Sequence, residues 1–160
     1  MRAPLSLFLA AFLLAVLPQA EAQQQPPAAA VADAGRVGTF KQVEGEIWVG
    51  PVEARRTPVP GDGLHEAERL RTGKTGAATI TLKDGTVVTM GPDTLVELSK
   101  FQYNPTTQSG NLALELLQGS IRIVTGLLAK INPDLFKITT PTSVVGVRGT
   151  DFIVDAPAQP

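Results

Sequence analysis

The chain has 160 residues, 14 of them basic and 15 acidic, with one histidine and no cysteine. This near-neutral balance excludes a broad cationic footprint for nucleic acid or an anionic membrane surface. The lack of cysteine excludes disulfides and thiolate chemistry, and a single histidine excludes a multi-histidine zinc cage and severely weakens the case for a histidine-based triad.

In chain order, Arg2 supplies a positive start, residues 5–17 form an almost unbroken apolar run, and Pro18 breaks it. Ala20-Glu21-Ala22 then has the small-x-small pattern that a signal peptidase cleaves. The run is about 13 residues long, short of the ~20 that span a bilayer as a helix. Residues 1–22 are therefore expected to be a cleaved export signal, with an uncleaved anchor as the alternative. The mature chain is then periplasmic or secreted, is not membrane-spanning, and relies on its core in place of bridges. Residues 23–36 are rich in Gln, Pro and Ala, with little to bury, and read as a flexible leader. Residues 37–155 suffice for one domain, and the prolines of residues 156–160 make a disordered tail.

Within the domain the apolar period is two, which predicts an all-β fold of short, mostly antiparallel strands. Residues 43–49 alternate as one strand. Asp84-Gly85 suits a two-residue hairpin loop setting Leu82 opposite Val87 and Ile80 opposite Thr89. Gln118-Gly119 reads as a second turn, with Leu116 against Ile121, Leu114 against Ile123, and Glu115 across from Arg122. An apolar-x-Gly-x-apolar-x-apolar unit occurs around Gly45 and again around Gly119, with a looser copy around Gly85. Such recurrence suggests a β-roll or twisted solenoid-like stack, with a Greek-key sandwich as the alternative. Residues 62–71 and 125–132 each have room for a turn of helix, the second stopped at Asn132-Pro133.

Residues capable of chemistry are sparse. His65 stands alone, Gly61-Asp62-Gly63 reads as a turn and not a calcium loop, and no phosphate-cradling glycine motif occurs. Arg55, Arg56, Arg69, Arg71 and Lys74 are interleaved with Glu53, Asp62, Glu66 and Glu68, the pattern of a solvated mixed-charge face. These features point to a non-enzymatic domain without catalytic, metal-binding or cofactor-binding residues. Arg148, in Val147-Arg148-Gly149-Thr150, and Arg71, in Arg71-Thr72-Gly73, each read as tying down a neighbouring loop, with a fork onto a partner carboxylate as the other reading. Residues 101–111, with Tyr103 and Asn104, are the candidate partner contact, or equally a plain hairpin tip.

The motifs resemble, in order, those of FecR-type domains of bacterial envelope proteins. They comprise Gly45 with Ile47 and Val49, Pro58 with Gly61-Asp62 and Leu64, and Leu70-Arg71-Thr72-Gly73. Residues 77–82 with Asp84-Gly85, Gly91-Pro92, and Leu116-Leu117-Gln118-Gly119 follow. Last comes Phe136-x-Ile138-x-Thr140-Pro141, leading to Val147-Arg148-Gly149-Thr150-x-Phe152. The best-known members of that family are inner-membrane regulators of sigma factors whose periplasmic domain receives a signal from an outer-membrane transporter. The resemblance implies an all-β, protein-binding domain with no cofactor. With a cleavable signal at its start, this chain is expected to be a free-standing exported member. Its partner is expected to be a protein or an envelope polymer, and not nucleic acid. The alternatives are a component of envelope-to-sigma-factor signalling that works with separate membrane partners, and a carbohydrate-binding domain.

Overall fold

Alternation of apolar and polar side chains carries most of the chain into strands, because period two places every second residue on one face. A computed structural model describes residues 35–147 and 150–158. Its strands are β1 Arg36–Glu44, β2 Ile47–Val49, β3 Gly63–His65, β4 Arg69–Thr72, β5 Ala77–Leu82 and β6 Val87–Met90. They continue as β7 Leu95–Asn104, β8 Ser109–Val124, β9 Phe136–Thr139, β10 Val144–Gly146 and β11 Asp151–Ala156. A five-residue helix, α1 Leu127–Ile131, ends at Asn132-Pro133, where the proline ring disfavours another turn.

The strands join in the order β2-β4-β7-β8-β6-β5-β1-β3. β9 and β11 are added beside β8, and β10 beside β9. Among the described residues every strand pairing is antiparallel except β8 with β9. The sheet curls into a half-barrel, a single all-β domain of mostly antiparallel strands as the alternation predicts. Phe40, Met90, Leu112, Leu116, Ile123, Phe136 and Ile138 have no exposed surface and meet inside it. Burying each such side chain stabilises the fold by roughly 1.5–3 kcal/mol.

Four local expectations are corrected. First, the segment 43–49 is not one strand: β1 ends at Glu44, Gly45 takes φ +66°, and β2 starts a new pairing with β4. Second, the Asp84-Gly85 hairpin has a longer loop than two residues. Ile80 pairs with Val88 and Thr81 with Val87, which turns Val88 and Met90 inward in place of Val87 and Thr89. Asp84 causes the shift, because its buried carboxylate accepts from Thr86 N (3.0 Å) and Thr86 Oγ1 (2.7 Å) and draws the turn inward.

Third, there is no hairpin at Gln118-Gly119. β8 continues through both residues with a bulge at Leu117, pairing with β7 up to Gln118 and with β6 and β11 beyond it. Glu115 consequently lies across from Glu97, while Arg122 reaches Asp151. Arg69 (2.6 Å from Glu97) and Ser99 (2.7 Å to Glu115) offset the like-charge pairing. Fourth, residues 62–71 form β3 and β4 with no helical turn, since Leu64 and Leu70 pack into the core as strand residues. The repeat unit has a physical counterpart: its glycines 45, 85 and 119 all have positive φ.

Candidate partner-binding site

The motif around residues 71–73 is an internal corner. Thr72 is buried; its Oγ1 donates to Gly91 O (2.6 Å) and accepts from Thr94 N (2.9 Å), while Thr72 N donates to Thr94 O (2.9 Å). Gly73 N bonds to Glu46 O (2.8 Å), and Asp93 N bonds to Gly73 O (3.0 Å). Arg71 is exposed on β4, between Trp48 and Leu95 across the ladder. The motif thus ties three turns together through Thr72 and Gly73, and leaves Arg71 on the surface.

The arginines around it meet acids, as a mixed-charge face requires. Arg56 lies 3.2 Å from Glu68 and 3.6 Å from Asp62, and donates to Gly63 O (2.7 Å). Arg69 pairs with Glu97, and that hydrogen bond and charge raise its already high pKa. Arg122 forks onto Asp151, with Nε 2.9 Å from one carboxylate oxygen; the bonding raises the pKa of Arg122 and lowers that of Asp151. The His65 ring nitrogen stands 3.7 Å from Glu68.

Tyr103 and Asn104 lie at the end of β7, at a hairpin tip leading into β8. The Asn104 side-chain oxygen Oδ1 accepts from Thr106 N (2.9 Å) and Thr107 N (3.2 Å), which is an Asx turn. Tyr103 is half-buried against the core. Much of this pair's polar and apolar capacity is therefore spent inside the domain.

An exposed apolar surface lies at the C-terminal strands. Thr140 and Pro141 open the turn between β9 and β10, closed by Thr140 N to Ser143 O (2.8 Å) and by the Thr140 hydroxyl accepting from Ser143 N (3.1 Å). Pro141 suits the second position of such a turn because its φ is preset. Among the described residues β10 then pairs with β9 alone, and β11 with β8 alone. Between their open sides lies a cavity of about 440 Å³, walled by Val145, Val147, Phe152 and Val154. Ile153 also lines it and is 63% exposed, and Val144 on the adjoining β10 is 67% exposed. Thr150 O accepts from Thr125 N (2.9 Å), anchoring the start of β11. Arg148 and Gly149 lie outside the described residues.

Unpaired strand edges beside an apolar wall are suited to accepting an extended chain, which adds backbone hydrogen bonds and inserts alternate side chains. Val144 and Ile153 were not candidates from sequence. Alternation marks them as strand residues but does not tell which edges stay open. No helix among the described residues is long and apolar enough to cross a membrane. A family model described as FecR protein matches residues 68–160, more than half of the chain. No curated protein and no solved structure matches.

Proposed function

This chain belongs to the FecR family, and on that premise we propose that it is a non-enzymatic periplasmic docking domain that receives an extended segment of a partner protein. The family is one of regulatory signalling, which favours a protein partner over a substrate. The observation that carries the reading is the pair of open edges, β10 and β11, flanking the apolar cavity of about 440 Å³. A strand seated there would gain ladder hydrogen bonds from the edges and place its apolar side chains against Phe152 and Val154. The signalling alternative is the same docking placed in a circuit with separate membrane partners, and family membership supports it.

The test is a photo-crosslinking amino acid at Ile153, compared with one at Thr106, in cells whose periplasmic fraction is then isolated. A crosslinked partner protein from Ile153, lost on Val144→Asp and absent from Thr106, is the expected result. Equal capture from both positions would remove the groove from consideration. Recovery of only a dimer of this chain would replace the docking reading with self-association.

A further inference from the structure

A second cleft, of about 420 Å³, lies over β1 and β5, well apart in sequence from the groove just described. Arg36, Lys41 and Lys83 line it together with Thr39, Thr81 and Gly61, and among the described residues none that lines it is acidic. Strand pairing brings these cations together across more than forty residues of sequence. Thr39 lies opposite Thr81, and Lys83 N bonds to Val37 O (2.9 Å). β1 bulges between Phe40 and Gln42, so Lys41 is the residue left over in the ladder.

The arginine is held in place by neutral acceptors. Its guanidinium donates to Gly38 O (3.1 Å), Thr39 Oγ1 (2.8 Å) and Gly61 O (2.7 Å). These bonds fix its position, and no carboxylate among the described residues pairs with its charge. Neither Lys41 nor Lys83 is ion-paired among the described residues, in contrast to Arg56, Arg69 and Arg122. Three cations gathered without a carboxylate repel one another, and a bound anion would relieve that repulsion.

We infer that this cleft binds a multiply charged phosphate, either an inorganic chain or a phosphate esterified to a sugar. Carboxylate recognition favours a free arginine fork, and the fork of Arg36 is already engaged. What remains are two lysine point charges, an oriented guanidinium and threonine hydroxyls, a set that suits a compact anion of high charge.

The experiment is calorimetric titration of the purified protein with inorganic tripolyphosphate and, separately, with glucose 1-phosphate. It is run at low ionic strength, about 10 mM, where screening extends to about 30 Å. At least one probe should bind, and the tighter one identifies the source as inorganic chain or ester. The double variant Lys41→Gln/Lys83→Gln should weaken that binding about two- to thirtyfold, as expected for the loss of two exposed charge contacts. The control Lys74→Gln/Lys100→Gln removes the same charge from exposed positions that do not line the cleft and should leave binding unchanged. Three results would overturn the site: neither probe binds, the cleft variant binds as the wild type does, or the control loses as much as the cleft variant. Unchanged circular dichroism of both variants assigns any loss to the cleft and not to unfolding.

Discussion

Thr94 fills the space that a side chain on Gly119 would need: a Cβ there would lie 2.4 Å from Thr94 Oγ1 and 2.5 Å from Thr94 Cα. The Thr94 hydroxyl accepts from Ser120 N (3.1 Å) and faces Pro92 O (3.0 Å) and Ser120 O (3.2 Å). With φ at +90°, Gly119 is where β8 passes from β7 to β6 and β11. Gly119→Ala should therefore destabilise the protein by about 2–4 kcal/mol, combining the cost of positive φ with overpacking against backbone. Denaturant unfolding measures this. A loss near zero would mean that the corner can open without disturbing the two halves of β8.

The loop at residues 83–86 leads to a second prediction. Asp84 is 2% exposed, its backbone oxygen accepts from Leu127 N (2.9 Å), and Gly126 N donates to Thr86 Oγ1 (3.0 Å). The Asp84–Thr86 pair is thus the dock on which the turn before α1 rests. Asp84→Ala leaves the Thr86 amide without its buried acceptor and should cost about 1–3 kcal/mol. Hydrogen exchange at Leu127 should accelerate by more than at Val88, because the dock loosens before the ladder does. Uniform acceleration across both sites would show that the turn has no independent stability.

These two positions show what the sequence makes legible and where it stops. The strand pattern and the special glycines are readable, because period two and positive φ are local properties. The partner of each strand is not. Buried Leu116 and Ile121 are an odd number of residues apart, as a two-residue hairpin demands, yet a bulged strand crossing to new neighbours produces the same spacing. At the other turn, Val87 and Val88 are both apolar, so either could face inward. The following Thr89 and Met90 held the clue, since only the Val88 phase buries an apolar residue at both places. The groove and the cationic cleft were invisible for the same reason. Val144 and Ile153, or Arg36 and Lys83, become neighbours of a site only once pairing is known.

Ile153 allows function to be separated from stability. It is 63% exposed on an edge strand, so Ile153→Asp should change stability by no more than about 0.5 kcal/mol, the usual range for surface substitutions. The melting temperature should therefore move by about 2 °C or less for a domain of this size. A large drop would show that Ile153 packs on something within the domain and that the groove is closed in solution.

The Arg122–Asp151 pair predicts a pH dependence of definite sign. The Arg122 hydrogen bond and charge lower the pKa of Asp151 in the folded state, outweighing the opposing effect of desolvation. In the unfolded chain this carboxyl titrates near its ordinary value of about 3.9. The folded state therefore binds fewer protons, and the pair's contribution is fully present above that value and lost as pH falls through the lower folded one. Because Asp151 ties β11 to β8 beside the open groove, the loss should appear first as fraying of the last strand. The check is the melting difference between wild type and Asp151→Asn, followed from neutral to strongly acidic pH. It should be largest at neutral pH, shrink toward zero in acid, and also shrink at high salt, where an exposed pair is screened. A difference that persists unchanged in acid would mean that Asp151 acts through its shape or backbone and not through its charge.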